Sequence, residues 1–433
     1  MTTTTLPPTP SDRGDRRFAF VPGANTGPTI VASDGVYLHS SDGRRILDGA
    51  GGAIVGNIGW GRREVADAVA AAMSTGGYVI PLWPTPNRLA LIDRLVERWL
   101  PAGLSQVFFT SGGSESTDSA IRLVRAYQVG KGRPDRWKVI GRHPSYHGLT
   151  IGSMAVASHS VRQSGYEPLL LPFPKVPWND AEAVAKIIEQ EDPATIAGFI
   201  AEPITGAAGG CLTASDDYWS VVTSLCKEHD ILLIADEVMT GFGRTGRRWG
   251  HDHFPFEPDV LVGGKGLGGG YVPMGAVATR ADVADVLREA GFMFFTFTGS
   301  DAMCAGANVV LEILEREALV ERSAAMGELL HGRLHEELDD HPHVIEIRGR
   351  GLFAGVELVR DRDGGAQFPV DARLASAVVG QALQRDTWVY PAGSGPVRDA
   401  IMLGPPFVIT AEEIDVLVGV LRESIDAAVA RVA

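Results

Sequence analysis

The sequence predicts an α/β fold: a largely parallel sheet covered by helices, joined to a smaller α+β lobe. Three observations predict it. In the middle of the chain, short apolar runs ("SQVFFT", "WKVIG", "AGFIA", "ILLIA", "DVLVGG") alternate with helical stretches. Runs this short and this apolar fit strands buried on both faces. The chain, at 433 residues, exceeds what one compact core organises, so at least two lobes are expected. Finally, each apolar run ends at a polar or glycine-rich element, and open parallel sheets place their ligand crevice outside the carboxyl ends of the strands.

Taken in order, the opening "MTTTTLPPTPSDRGDRR" lacks the apolar stretch of a secretory signal and reads as a disordered tail over 1–17. Residues 18–65 are expected to pack with the smaller lobe as its N-terminal segment. "REVADAVAAAM" and "RLALIDRLVERWL" carry helical spacing, the second with a stripe of Leu89, Ile92, Val96 and Trp99. The large domain is expected over 66–320. After it come a helix, the turn-rich "DDHPH", the strand-like "VIEIRGRGLFAGVELV" and a closing helix, the small α+β domain of 321–433. Thr410 and Glu413 form a capping box for that last helix, and Ile414, Leu417, Leu421 and Ile425 continue one face.

Composition removes several classes of function. A net charge of −14 argues against nucleic acid or an anionic membrane as partner, because both reward clustered Lys and Arg. No run approaches the ~18 consecutive apolar residues of a membrane span. Cys211, Cys226 and Cys304 are odd in number and far apart, so neither a disulfide framework nor a zinc site is expected, and a reducing cytoplasm is the natural setting.

Five segments deliver polar groups to the ends of the apolar runs. "SQVFFT" leads into Ser111, Gly112, Gly113 and Ser114; "WKVIG" into "RHPSYHG"; "AGFIA" into Glu202; "ILLIA" into Asp236; "DVLVGG" into Lys265. Ser111 to Ser114 precede a helix, whose first N–H groups suit a phosphate; a plain cap by Ser114 is the alternative. Asp236 needs a cationic or N–H partner: a metal, a ribose hydroxyl, a protonated heterocyclic nitrogen or a structural salt bridge.

Three tempting motifs fail. "GFGRTG", Gly241 to Gly246, matches a dinucleotide fingerprint, but "RRWGHDHFPFEP" after it is not the required helix. "GGKG" is no P-loop, since Asp259 and Gly266 stand where glycine and Ser or Thr are required. "HDH", His251 to His253, has no partner at a metal-binding spacing and reads as a solvated loop. What remains is a strand-end acid, a phosphate cradle, the "SYHG" turn and Lys265 among the six glycines of "GGKGLGGG". A Schiff-base lysine must be desolvated and must move, and its small neighbours leave clearance for both. Pyridoxal phosphate asks for that amine, an acid at its ring nitrogen, a phosphate cradle and flanking apolar faces.

At this point the chain resembles the class III (ω-amino acid or amine type) pyridoxal-phosphate aminotransferases of fold type I. The resemblance runs from "ILDGAGGAIVGNIGWGRREVADAVAAA" to "LGPPFVITAEEID" and includes "FFTSGGSESTDSAIRLVRAY", "SYHG", "AEPI", "ADEVMTGFGRTG", "GGKGLGGGYVPMGAV" and "FTFTGS". It implies a seven-stranded type of sheet and a small domain built from both chain ends. It also implies a Schiff base on Lys265, which shuttles the proton, and Asp236 at the pyridine nitrogen. Gly113 and Ser114 would hold the phosphate, Tyr146 and Val238 would cover the two ring faces, and Glu202 would support the hydroxyl side. Thr296 would reach the neighbouring subunit's phosphate in a homodimer.

The resemblance further implies ping-pong transfer from an amine or ω-amino acid to a 2-oxo acid, pyruvate before 2-oxoglutarate. An aminomutase or a decarboxylating dialkylglycine-type enzyme is the alternative on the same fold, and a non-enzymatic or NAD-binding α/β protein the reading outside it. Two positions depart from the pattern. Gly299-Ser300-Asp301 replaces a common "GHP". Arg398 is the nearest candidate for a carboxylate-gripping arginine, or else an ordinary exposed residue. Trp83, in "IPLWPTP", either shapes amine selectivity or packs in the core.

Overall fold

The apolar runs form one sheet of seven strands, in the order Leu104–Thr110, Gly275–Arg280, Val260–Gly263, Leu232–Asp236, Ile196–Ala201, Lys138–His143 and Lys175–Pro177. The structure, a computed structural model, describes residues 27–291 and 294–432. The 1–17 tail and the start of the 18–65 segment lie outside the described residues. Six of the seven strands run parallel; Gly275–Arg280 is antiparallel to both its neighbours. That strand and Lys175–Pro177 are absent from the five apolar runs. "GAVATR" is carried by small residues and "KVP" is only three residues long, so neither stands out as an apolar run.

Alternation within single strands separates the two cores. Leu232 and Ile234 face one layer with Leu123, Val124 and Tyr127 of helix Gly113–Gly130 and Val283 and Leu287 of helix Ala281–Ala290. Leu233 and Ala235 face the other, with Val184 and Ile188 of helix Ala181–Gln190 and Tyr218, Trp219 and Val222 of helix Asp216–Glu228. Both faces being covered, the strands Ile196–Ala201, Leu232–Asp236 and Val260–Gly263 are buried at every position.

Two further four-stranded sheets flank this body, besides the short pair Ile204–Thr205 and Leu212–Thr213. Ile30–Asp34, Tyr37–Ser40 and Arg45–Asp48 form a meander whose last strand pairs in parallel with Thr387–Trp388. Val344–Gly349, Ala354–Leu358, Val397–Leu403 and Tyr390–Ser394 form an antiparallel sheet. The closing helix Ala411–Val432 buries Ile414, Leu417, Leu421 and Ile425, as its spacing predicts. Its capping box is present: Thr410 N donates to Glu413 Oε2 and Glu413 N to Thr410 Oγ1. The stripe of "RLALIDRLVERWL" differs. The helix Pro86–Arg94 passes into a π-turn at Leu95–Trp99, and Leu91, Leu95 and Trp99 are buried while Leu89 is exposed. Leu89 stands about 200° round the regular helix from the buried Leu91, before the π-turn begins, so it faces out.

Arg244, in "GFGRTG", ties three distant segments together. Its guanidinium donates to the carbonyls of Gly56 (2.6 Å), Pro405 (2.7 Å) and Leu352 (2.9 Å) and lies 4.6 Å over the Phe407 ring. Burial lowers its pKa to about 9, against the pull of Asp48. Arg244→Met should leave three buried carbonyls unpaired, and each such group costs about 1–3 kcal/mol. We expect a clear drop in the thermal unfolding midpoint; an unchanged midpoint would show that the clamp carries no stability.

Candidate active site

All five polar strand ends meet at one edge of the central sheet. Gly113, Ser114, Tyr146, Glu202, Asp236, Val238 and Lys265 line a single cavity of about 150 Å³, with His147 among them. A larger groove of about 800 Å³ opens at the amino ends of the strands, around Leu104, Asp230 and Asp259, and none of the predicted site residues lines it. The chemistry-bearing side chains therefore gather where strand direction places them.

Lys265 opens a 3-10 turn, Lys265–Leu267, with φ of 36°. A left-handed backbone at a lysine costs roughly 1–3 kcal/mol and persists only where neighbours enforce it. Asn57 Nδ2 holds the Gly266 carbonyl at 2.9 Å, and Gly268 and Gly269 both donate to the Lys265 carbonyl. The surrounding glycines serve close packing more than clearance, a correction to the reading from sequence. A Cβ on Gly264 would stand 3.3 Å from Gly113 Cα, and one on Gly268 only 2.1 Å from the Val272 carbonyl oxygen. Lysine turn and cradle thus touch backbone to backbone.

The amine itself is held out of water, although part of the side chain opens on the cavity. Burial lowers its pKa to about 8, with Asp236 and Glu202 pulling it back up. Among the described residues no side chain hydrogen-bonds or ion-pairs with Nζ.

Asp236 is paired. Its Oδ2 lies 2.6 Å from His147 Nδ1, and its Oδ1 accepts from Val238 N at 3.0 Å. His147 is buried, and its Nε2 has no partner. The sequence marked the "SYHG" turn but missed this pairing, which no spacing could reveal across 89 residues. Glu202 accepts from Tyr146 N through Oε1 and from Gly206 N through Oε2, both at 3.0 Å, so it fixes the aromatic turn. Burial pushes its pKa up, with the His147 charge opposing.

Helix Gly113–Gly130 starts at Gly112 with no side-chain cap. Ser114 does not cap its own helix; its Oγ accepts from Leu149 N at 3.2 Å. Ser116 Oγ donates to the Gly263 carbonyl at 3.0 Å and joins this helix to the strand leading to Lys265. A Cβ on Gly113 would meet Val238 Cγ1 at 2.7 Å, so only glycine brings backbone this close to the cavity wall.

Pyridoxal phosphate fits these residues. The uncapped 18-residue helix offers N–H groups and a positive dipole end to a phosphate. The Asp236–His147 pair can serve a protonated ring nitrogen, and the desolvated amine can meet a carbonyl.

Three predicted residues stand elsewhere. Thr296 lies exposed in a turn, and Trp83 is 67% exposed, so it is not packed in the core. Arg398 is exposed and donates to the Phe368 carbonyl. None of them lines the cavity. "HDH" is not solvated either: His251 is buried with its Nδ1 2.7 Å from Glu237 Oε1, while His253 Nε2 sits 3.1 Å from the Thr245 carbonyl. Among the described residues no three His, Cys, Asp or Glu could hold a metal, and no helix is long and apolar enough to cross a membrane.

Known proteins are similar to this chain over nearly its whole length. Residues 22–425 match the family described as Aminotransferase class-III. The chain is 34% identical to the uncharacterized aminotransferase YhxA of Bacillus subtilis (strain 168), over 95% of each protein. It is 32% identical to the putrescine–pyruvate aminotransferase of Pseudomonas aeruginosa, over 93% of this chain and 91% of that one. The solved structure of the ω-transaminase from Pseudomonas jessenii in complex with PMP superposes with a TM-score of 0.87 at 31% identity, covering 94% of this chain and 93% of that chain.

The lowered pKa has a direct consequence. Lys265 is a neutral nucleophile above about pH 8 and a protonated, unreactive ammonium below it. Acetylation by acetic anhydride of protein stripped of carbonyl compounds, followed by peptide mapping, should show Lys265 reactivity rising through about pH 8, against about 10.4 for ordinary lysines. A midpoint near that ordinary value would remove desolvation as the force acting on the amine.

Proposed function

The chain belongs to the class III aminotransferases, with the fold type I architecture, and we propose that it carries an amino group from an amine or ω-amino acid to a 2-oxo acid. The acceptor is pyruvate in preference to 2-oxoglutarate, and the two half-reactions run in turn at the Lys265 cavity. The observation that carries the reading is a desolvated lysine amine facing two buried carboxylates, beside a glycine-lined helix N-terminus. The name of the putrescine–pyruvate relative supports the choice of acceptor.

Class III aminotransferases depend on pyridoxal phosphate, and when bound it supplies the electron sink for the carbon that loses its proton. Gly113 and Ser114 would hold its phosphate at the helix N-terminus, and Asp236, steadied by His147, would face its ring nitrogen. Tyr146, fixed by Glu202, and Val238 would enclose its faces and exclude water. Lys265 Nζ would hold the group and, once displaced by the incoming amine, would take the proton from the amine-bearing carbon and return it during transfer. Desolvation suits that work, since a base with a pKa near the working pH moves protons best in both directions.

A homodimer belongs to the same proposal. Tyr78, Leu82, Trp83 and Phe297 are exposed large apolar residues in the segments around Thr296 and "IPLWPTP", with Tyr78 and Phe297 edge to face at 6.0 Å. A second copy covering them would put Thr296 at the neighbouring subunit's site.

Lys265→Ala should retain pyridoxal phosphate without the covalent link and lose turnover by about 10³-fold or more, the scale of a lost proton-transfer group. Asp236→Ala should lose activity with its circular dichroism unchanged. Amine and acceptor panels read by bleaching and recovery of the cofactor band test the whole reading. Parental turnover in Lys265→Ala would refute it, and release of carbon dioxide or internal amine migration would move the protein to the decarboxylating or mutase alternative.

A further inference from the structure

Of the sequence motifs, "HDH" is still without a task. Its first histidine, His251, lies buried in the 3-10 helix Gly250–His253. It faces Glu237, the fully buried residue between Asp236 and Val238. Several donors converge on the Glu237 carboxylate. His251 Nδ1 (2.7 Å) and His251 N (2.8 Å) meet Oε1, while Gly250 N (2.8 Å) and Thr240 Oγ1 (2.5 Å) donate to Oε2. Burial works against both charges, yet the imidazole holds Glu237 below its ordinary pKa, and the carboxylate holds His251 above its own. The other charged group beside the imidazole is Asp252, whose Oδ1 lies 3.7 Å from Nε2. Glu237 and His251 form an ion pair inside the protein.

What this pair holds is one wall of the cavity. Asp236, Val238, Met239 and Thr240 line it, and Glu237 is the member of the turn 236–240 that does not. The helix Gly250–His253 stands close behind, since a Cβ on Gly250 would meet Thr240 Cβ at 2.7 Å. That helix is moored to the core by the residue before it. Trp249 Nε1 donates to the Trp99 carbonyl at 2.6 Å, and the Trp249 ring packs edge to face on Phe242 at 4.7 Å. Glu237 therefore ties the cavity wall to a fixed post, and His251 is its side-chain partner there.

The wall matters because of what it carries. Asp236 Oδ1 accepts from Val238 N at 3.0 Å, so the acid and the valine move together. Val238 also stands where the helix N-terminus and the lysine turn approach each other. A Cβ on Gly113 would meet Val238 Cγ1 at 2.7 Å, and one on Gly264 would meet it at 3.2 Å. Between two half-reactions the cofactor is in its amine form, pyridoxamine phosphate, which has no covalent link to a lysine and is held by non-covalent contacts alone. Such contacts need a wall whose own side chains are locked from behind. We propose that His251, acting through Glu237, is a positioning residue that fixes the wall 236–240 against the cofactor ring and so governs retention of pyridoxamine phosphate. This inference rests on the aminotransferase reading and deepens it. His251 itself does not line the cavity.

The test uses the full chain and the variants His251→Ala, Glu237→Gln and His251→Asn, the last with an amide nitrogen in the place of Nδ1. In His251→Ala and Glu237→Gln, hydrogen exchange at the Val238 and Gly241 amides should be about tenfold faster or more, with helix Gly113–Gly130 unchanged. Calorimetric titration of pyridoxamine 5'-phosphate into protein stripped of cofactor should show binding weakened about tenfold or more, the scale of one hydrogen bond to a charged group. Inorganic phosphate, which reports on the helix N-terminus, should bind within about threefold of the parent. In turnover, kcat should fall about tenfold with the amine KM within about threefold, because a displaced Asp236 is felt in the transition state. His251→Asn should recover most of each loss; should His251→Ala fail to fold, His251→Gln, whose longer side chain displaces the donor, takes its place. Unchanged exchange at Val238 and Gly241 overturns the proposal. Equal weakening of pyridoxamine phosphate and inorganic phosphate also overturns it, as a general loosening of the fold. Should the parent bind no pyridoxamine phosphate, the aminotransferase reading fails, and the exchange rates still decide whether His251 holds the wall: faster exchange upholds that role and unchanged exchange removes it.

Discussion

The structure is organised around one constraint: a lysine amine kept out of water beside two buried carboxylates. Isolated, each of these groups would be costly to bury. Here the cost is offset locally. Glu202 accepts two backbone N–H groups, and Asp236 accepts one and meets an imidazole. Lys265 has no such support from a hydrogen bond, and its lowered pKa registers the deficit. The amine is the unsatisfied member of the set, and it is the group that the chemistry must set free.

Such a site has to be built on elements that cannot drift. The five contributing segments leave strands of one sheet, and those strands are fixed by two cores packed on opposite faces. Backbone contact then replaces side-chain packing where precision matters most, at Gly264 against Gly113. The Ser116–Gly263 hydrogen bond repeats the link between the same two elements. A substitution that moved helix Gly113–Gly130 would therefore move the lysine turn with it, so the helix N-terminus and Lys265 keep their spacing. The left-handed Lys265 backbone is the strain that this rigidity holds in place.

Much of this was legible in the sequence, for a physical reason. Strands buried on both faces must be apolar throughout, so five of the seven were visible as runs, and their polar ends marked one edge of the sheet. The two missed strands lack that signature, because small residues fill one and the other is three residues long. The stripe at Leu89 failed because spacing alone does not say which of two overlapping stripes, Leu89 with Ile92 or Leu91 with Leu95, faces the core. At the site, single residues at strand ends were readable, while pairings between segments were not. Asp236 with His147 and Glu237 with His251 join residues 89 and 14 apart. The glycines around Lys265 misled in the same way, since emptiness and close contact look alike in a sequence.

The charge balance of the cavity also bears on selectivity. A floor of Asp236 and Glu202 favours cations, and apolar neighbours such as Ile204 and Met239 add a preference for uncharged carbon skeletons. Left alone, that environment would suit the donor half of a transfer and oppose the acceptor half. One enzyme must nonetheless bind both partners in turn at the same lysine.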